Sequence, residues 1–229
     1  MNSLLTQAPL LLLAFSMAPA VSAYELPSLL SSLDASASSF RTMTAKLKRI
    51  MHTAVINDDS VESGHVRVMR VRNNEIAMLI EFTEPGQKSV FFQGKKAEIY
   101  YPNIQTVHEF DLGKHKALVD QFLLLGFGNS SKELSRSYHI KWIGKEAVGA
   151  YQSARIELTP KSSQVAEHIK VAELWVQQPD GFPVRQKFVE KSGDYTLIEY
   201  SEVKWNPGLT PDQMTLKLPK NVKREFPQK

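Results

Sequence analysis

The chain contains no cysteine among its 229 residues. This absence excludes thiol chemistry, disulfide bridges and cysteine-based metal sites. Because no cysteine follows the amino-terminal segment, we also expect the chain not to carry a lipid anchor of its own. A long apolar run is missing after that segment as well, which predicts a soluble mature protein.

Basic residues exceed acidic residues only slightly. The chain has 28 basic and 24 acidic residues, which leaves a formal net charge of +4. We interpret the basic clusters named below as parts of solvated strand faces and of a soluble tail. The alternative is that they attract the chain weakly to an anionic membrane surface. A nucleic-acid partner is not expected, because no basic-aromatic module is recognisable. The densest basic groups are Lys46, Lys48 and Arg49; Arg67, Arg70 and Arg72; and Lys220, Lys223 and Arg224.

Motifs that carry catalysis are missing too. The chain has no G-x-S-x-G elbow, no H-E-x-x-H and no glycine-rich phosphate loop. The nearest approach to a metal cluster is His108, Asp111 and His115, which straddle a predicted strand end and helix start. We therefore predict no enzyme activity, no catalytic residue, no bound metal and no cofactor.

The amino-terminal segment, residues 1–23, has the pattern of a targeting sequence. Its apolar core at residues 10–15 is followed by small residues that end in Ala23, a pattern typical of a secretory signal peptide. The core is too short to span a bilayer as a helix. We predict cleavage after Ala23, with Ala20 as the alternative, and export of residues 24–229 to the periplasm as one domain.

The remaining chain alternates between strand and helix patterns. Residues 26–33 carry leucines at helical spacing, and residues 114–127 do so again before Gly126 and Gly128 end the pattern. Roughly ten strand-like segments joined by short turns lie around them, and a short element is expected at residues 213–218. The predicted fold class is mostly β with α (α+β): one strongly curved antiparallel sheet with helices covering one side.

This order of elements resembles the LolA-type outer-membrane lipoprotein carrier family. Residues 33–50, LDASASSFRTMTAKLKRI, resemble the first helix of the family running into its first strand. Gly64 followed by HVRVMR resembles its second strand, and residues 81–112, EFTEPGQKSVFFQGKKAEIYYPNIQTVHEFDL, resemble its strand–Pro–strand–Gly–strand stretch. The resemblance spans most of residues 24–229 and is specific in layout but loose in residues.

The resemblance implies a half-closed barrel whose apolar concave face is covered by a helical lid. Such proteins bind the acyl chains of lipoproteins, carry them across the periplasm and release them at the outer membrane. It implies an acylated lipoprotein or lipid as cargo, an inner-membrane donor complex and an outer-membrane acceptor. We expect the chain to act as a monomer, and the sequence leaves open whether the cargo is a lipoprotein, a free lipid or a glycolipid.

The family also implies a lid and a latch. The lid segment would be residues 122–128, FLLLGFG, with ordinary core as the alternative interpretation. In the family, an arginine near the end of the second strand holds the lid helices. Arg70 is the nearest equivalent and Arg72 the alternative, although neither precedes a proline, and a solvated strand face is the competing interpretation of both. The side chains that we predict to line the cavity are Met78, Ile80, Phe82, Phe91, Tyr101, Leu118, Phe122, Leu125, Trp142 and Trp175.

Two other functions compete with the carrier. The first is a sensor or regulatory module on the same fold, in which a bound lipid controls a protein partner. The second is an exported hydrolase, which would need a clustered nucleophile and base that the sequence does not display.

Overall fold

The computed structural model describes residues 22–72, 75–113 and 125–227. It begins with helix α1, Ser22–Ser39, which contains the predicted helical segment at residues 26–33. The predicted cleavage site after Ala23 falls in the first turn of this helix. Leu29 and Leu33, one turn apart, are each 1% exposed, so the leucine face is the buried face of α1.

A sheet of twelve strands follows, two more than the sequence pattern predicted. The strands are β1 Thr42–Thr53, β2 Asp58–Arg70, β3 Ile76–Glu84, β4 Lys88–Gln93, β5 Lys96–Tyr101, β6 Thr106–Asp111, β7 Tyr138–Val148, β8 Tyr151–Pro160, β9 Val171–Gln177, β10 Pro183–Val189, β11 Tyr195–Trp205 and β12 Lys223–Glu225.

The strands form one curved sheet that does not close on itself. Their order across the sheet is β12-β6-β5-β4-β3-β2-β1-β11-β10-β9-β8-β7. Most neighbours in sequence are neighbours in the sheet, and every pairing is antiparallel except that of β12, which runs parallel to β6. The predicted fold class, a curved antiparallel sheet with a few helices, is therefore confirmed.

The chain between β6 and β7 passes through short elements. Most of the helix predicted at residues 114–127 lies outside the described residues. Its described end at residues 125–127 forms turns and bends, and the two glycines predicted to end it, Gly126 and Gly128, adopt positive φ angles of 84° and 72°. Helix α2 follows at Ser131–Ser137, and a single helical turn, α3, lies at Ser163–Ala166. Two 3₁₀ turns lie at Pro102–Ile104 and Pro211–Met214.

Helix α2 was not predicted, although the sequence carries its signal. The Ser130 hydroxyl accepts from the Glu133 backbone N–H, and the Glu133 side chain accepts from the Ser130 N–H. This reciprocal pair is a capping box, which stabilises the start of a helix. None of the helices in residues 22–72, 75–113 and 125–227 is long and apolar enough to cross a membrane.

Candidate functional site

The two faces of the curved sheet are defined by strand alternation, because successive side chains of a strand point to opposite sides. We call the face that carries Met43, Val68 and Ile156 the concave face; α1 packs there. The opposite face, which carries Leu79 and Trp175, is the convex face.

Two apolar clusters cover the concave face, and Ile198 contacts both. The first lies on β7–β10 beneath α1. The second lies on β1–β4 and β11, beneath the end of α1. On β1–β6 the strand register arranges the concave side chains in two apolar rows, which extend past the second cluster. These rows are Met43, Val68, Met78, Phe92, Ala97 and Phe110, and then Ala45, Val66, Ile80, Val90 and Ile99.

Several of the predicted cavity residues lie on this face. Met78 and Phe82 are each 3% exposed and Ile80 is half-buried, all within the second cluster or packed against it. Leu125 and the half-buried Trp142 belong to the first cluster or pack against it. Tyr101 lies at the β5 end of the same face and lines a cleft described below.

Two predicted cavity residues lie on the convex face instead. Phe91 packs against Leu79 and Met214, whereas its neighbour Phe92 takes the concave position. Trp175 packs with Val184, while Leu174 and Val176 on either side face the concave cluster. In both strands large side chains stand next to each other, so composition alone does not show which of them points inward.

The remaining two predicted cavity residues, Leu118 and Phe122, lie outside the described residues. The segment that immediately follows them does contact the sheet. Leu125 is 2% exposed and belongs to the first cluster, and Phe127 is 1% exposed and belongs to the second. A Cβ on Gly126 would lie 3.2 Å from the Pro183 side chain, so a glycine permits this close approach. Residues 125–128 thus connect the two halves of the concave face.

Arg70 holds this segment from the end of β2. Its Nη2 donates to the carbonyl oxygen of Ala37 in α1 at 2.9 Å and to that of Gly128 at 3.4 Å. The guanidinium carbon lies 5.7 Å from the centre of the Phe40 ring. Desolvation, together with the nearby charge of Arg41, lowers the pKa of Arg70 below its usual value, with Glu133 acting in the opposite direction. Arg70 has no salt bridge among the described residues, and its Nε is buried without a partner there.

A second, wholly buried contact holds the same segment from β10. Gln186 is 0% exposed and donates from Nε2 to the carbonyl oxygen of Leu125. Its Oε1 accepts from the Tyr200 hydroxyl at 2.9 Å, and burial raises the pKa of Tyr200. We name Arg70 and Gln186 together the clamp. Our sequence prediction missed Gln186; the only signal was a polar residue at alternating spacing between the apolar Val184 and Phe188.

Helix α2 is tied to α1 at the same end of the sheet. The Ser131 N–H and hydroxyl both donate to the Asp34 carboxylate, each at 2.7 Å. Together with the clamp, this connects α1, residues 125–130 and the sheet.

The predicted near-cluster of metal ligands does not assemble within the described residues. His108 Nε2 lies 3.2 Å from the Glu225 carboxylate, and His115 lies outside the described residues. No group of three or more His, Cys, Asp or Glu side chains suited to a metal ion occurs in the described ranges.

Comparison with known proteins places this geometry among solved folds. No family model matches the chain, and no curated protein matches its sequence. An uncharacterized conserved protein from Thermus thermophilus superposes with a TM-score of 0.55 and 12% identity, over 88% of this chain and 98% of that one. MucB superposes with a TM-score of 0.54 and 12% identity over 83% of this chain.

A LolA superfamily protein from Nitrosomonas europaea also matches, with a TM-score of 0.40 and 16% identity, over 83% of this chain and 97% of that one. The matches with a TM-score above 0.5 show that this chain shares the fold of MucB and of the Thermus thermophilus protein. It spans 62% of the MucB chain, a protein that is also known in complex with MucA. At these identities the likeness shows the fold alone.

Proposed function

We propose that the chain binds acyl chains on its concave face and carries them, as part of a lipoprotein or lipid, across the periplasm towards the outer membrane. Residues 1–23 would direct export, and residues 24–229 would form the carrier domain. Its partners would be the acylated cargo, an inner-membrane donor and an outer-membrane acceptor. No enzyme activity is part of this proposal.

The observation that carries the proposal is the apolar concave face. Its rows continue from the buried positions at Val66 and Met78 to the half-buried Ile80, Val90 and Ile99. Moving one acyl methylene out of water is worth about 0.8 kcal/mol, so a multi-chain anchor needs an apolar cover to cross an aqueous compartment. A continuous apolar face on an unclosed sheet supplies such a cover.

The clamp supports a carrier rather than a permanent binder. A carrier has to release its cargo, so the cover over the cargo must be held by few contacts. Arg70 and Gln186 donate one hydrogen bond to each backbone carbonyl that they contact. Each of these bonds contributes only about 1 kcal/mol net, or somewhat more where the donor is charged. We propose Arg70 as the latch because it binds α1 and residues 125–128 at once.

The first test is native mass spectrometry of the protein purified gently from the periplasm, followed by solvent extraction. Co-purified acylated peptide supports a lipoprotein carrier, and lipid without peptide supports a lipid carrier. A protein that is empty and also fails to take up a fluorescent fatty acid contradicts the proposal.

A pair of neighbouring substitutions makes this test specific to the concave face. Val90 and Phe91 are both half-buried on β4 but point to opposite faces. We expect Val90→Glu to abolish uptake of the fluorescent fatty acid, because a carboxylate among acyl chains is costly. Phe91→Glu places the same charge on the convex face and should leave uptake unchanged in the fraction that remains folded.

A regulatory module is the second candidate, and the MucB likeness favours it. MucB is known in complex with MucA, so this fold supports a protein partner in at least one case. In a regulatory module, lipid binding would change the affinity for a protein partner, whereas a carrier passes lipid on. Transfer of a labelled lipid from donor to acceptor vesicles, accelerated by the protein, favours the carrier; binding without transfer favours the module.

A further inference from the structure

One end of the concave face is charged. On β1, β2 and β4, beyond the two apolar rows, the concave positions are Arg49, Glu62 and Lys88. Glu62 accepts from Arg49 Nη2 through one carboxylate oxygen and from Lys88 Nζ, at 2.5 Å, through the other. These three side chains, which we name the charged row, stand on the same face as the predicted acyl-binding surface.

Both cations of the charged row also cover the ring of Phe82. The Arg49 guanidinium carbon lies 4.8 Å and the Lys88 Nζ 5.0 Å from the ring centre. Burial tends to raise the pKa of Glu62, but the hydrogen bonds and charges of Lys88 and Arg49 outweigh it and hold that pKa below its usual value. Glu62 is therefore ionised at neutral pH, and the row carries one net positive charge.

The row retains hydrogen-bonding capacity. Three donors of an ammonium and five of a guanidinium exceed what one carboxylate can accept. The Arg49 Nε is buried without a partner among the described residues. The side chains of Arg49 and Lys88 are 28% and 24% exposed, so both remain within reach of a ligand.

A cleft opens directly beside this row. It has a volume of about 670 Å³, and Glu62, Lys88 and Tyr101 lie on its wall. Ligand sites for small molecules fall in the range of about 300–1,000 Å³, so the cleft has room for a lipid headgroup. The remaining lining residues are Pro85, Gly86, Gln87, Pro102 and Asn103.

The spacing between the charged row and the clamp suits an acyl chain. Glu62 and Arg70 are eight residue steps apart along β2, which corresponds to about 26 Å at about 3.3 Å per step. One leaflet of a bilayer's hydrocarbon core is about 15 Å thick, half of about 30 Å. The apolar rows lie within this interval, so acyl chains fit between a cationic end and the clamped end.

We propose that the charged row and its cleft bind the phosphate headgroup of an anionic phospholipid whose acyl chains lie on the apolar rows. This inference rests on the proposed acyl binding and specifies its ligand. A phosphate diester carries one negative charge, which matches the net charge of the row, and its oxygens accept charge-assisted hydrogen bonds from arginine and lysine. Glu62 holds the two cations in place over Phe82 until the headgroup binds.

The test compares two lysophospholipids with an identical fluorescent acyl chain. One carries anionic phosphoglycerol and the other zwitterionic phosphocholine, so they differ in the net charge of the headgroup. We expect the anionic probe to bind the wild-type protein about five- to tenfold more tightly at low salt. Because salt screens the pair, this preference should shrink at high ionic strength, while binding of the zwitterionic probe persists.

Three variants assign the preference to the row. Lys88→Gln should remove most of it and should weaken the zwitterionic probe much less, because the choline ammonium already offsets the charge of that probe's phosphate. Lys48→Gln, which deletes the same charge from an exposed position on the convex face, should leave it intact. Glu62→Gln removes the competing carboxylate and should strengthen binding of the anionic probe severalfold, whereas a purely structural ion cluster would bind it no better.

The failure of this proposal differs from the failure of the carrier proposal. Equal affinity of the wild-type protein for both probes, or equal loss of both in Lys88→Gln, overturns the headgroup site and leaves acyl binding standing. Failure of both probes to bind overturns acyl binding itself. Thermal unfolding of each variant shows whether the variant is folded when it is assayed.

Discussion

Arginine and tryptophan side chains have different interaction partners on the convex and concave faces of the sheet. On the convex face Trp175 lies between two arginines, with its ring centre 4.9 Å from the guanidinium carbon of Arg155 and 5.2 Å from that of Arg185. Its Nε1 donates to Glu146 at 2.9 Å. Both arginines also form salt bridges. Arg155 pairs with Glu173 and Glu146, and Arg185 pairs with Glu199 and Glu146.

Within the part of the chain that the structure describes, Arg70 and Trp142 on the concave face have no carboxylate partners of this kind. There, Arg70 binds backbone carbonyls, and the half-buried Trp142 packs against apolar neighbours of the first cluster. The arginines around Trp175 are therefore paired with carboxylates, although Arg155 Nε has no partner among the described residues, whereas Arg70 on the concave face binds backbone carbonyls alone. This difference distinguishes a surface that stabilises the sheet from one that suits a ligand.

The largest effect is expected for a methyl group added to the concave face at Gly64. A Cβ there would overlap the backbone carbonyl of Glu81 on β3, so the β2–β3 pairing would have to shift. We expect Gly64→Ala to lower the free energy of unfolding by about 3 kcal/mol, measured by urea denaturation.

Gly86→Ala is the control for Gly64→Ala. A Cβ on Gly86 would meet nothing within 4 Å, and the expected change is within about 0.5 kcal/mol. Equal costs for the two substitutions would show that the close approach of β2 and β3 at Gly64 does not matter.

A smaller effect is expected when the latch arginine is replaced. Arg70→Met keeps an apolar stem but leaves the carbonyls of Ala37 and Gly128 without their donor, at a cost of about 1–2 kcal/mol. Because those carbonyls belong to α1 and residues 125–128, amide hydrogen exchange should accelerate there first.

The matched control for the latch is its neighbour on the other face of β2. Arg67 forms a salt bridge with Glu81, and the two side chains are 29% and 33% exposed. A pair of this kind contributes about 0–1 kcal/mol, so Arg67→Met should change little and should not accelerate exchange in residues 125–128. Acceleration in both variants alike would argue against a latch.

The two tryptophans allow the faces to be compared directly. Trp175→Phe removes the hydrogen bond to Glu146 and should cost about 1 kcal/mol of stability, with uptake of a fluorescent fatty acid unchanged. Trp142→Phe should alter uptake with little effect on stability, because Trp142 is half-buried on the concave face. The opposite assignment, in which only Trp175→Phe affects uptake, would contradict the concave site.

The smallest effect is the acid dependence of the charged row. The pKa of Glu62 is lower in the folded protein than its usual value of 4.5, so ionisation of this carboxylate stabilises the fold above that value. The contribution, about 1 kcal/mol or less, should be lost as the pH falls through the lowered pKa of the folded state. The difference in unfolding free energy between wild type and Glu62→Gln should be constant from about pH 5 to 8 and should shrink in more acid solution. A difference that grew in acid would be inconsistent with this pKa direction.

Sequence reasoning succeeded where the information is local. The leucine spacing at residues 26–33 predicted α1, and short turns between alternating segments predicted an antiparallel sheet. The capping box at Ser130 and Glu133 was equally readable and would have located α2. Gly126 and Gly128, which the sequence predicted to end the central helix, adopt positive φ angles, so the helical spacing does not extend through residues 125–127.

The candidate site was harder to predict because it depends on which face of each strand points inward. Phe91 and Phe92 are adjacent aromatic residues, and a shift of one position exchanges the faces of the sheet. The structure places Phe92 on the concave face and Phe91 under the carboxyl-terminal segment beside Met214. The same ambiguity put Trp175 in the predicted cavity although it lies among convex ion pairs.

The sequence by itself determined the class of the fold, the exclusion of thiol chemistry and the apolar segments that became helix and sheet. These follow from residue types and their spacing along a few consecutive positions. Only the tertiary structure decided the partners of Arg70, Gln186 and Glu62, because their contacts join residues far apart in sequence: 58 residues from Arg70 to Gly128, 61 from Gln186 to Leu125 and 26 from Glu62 to Lys88. Such contacts depend on strand register and sheet curvature, which arise from the packing of the whole sheet.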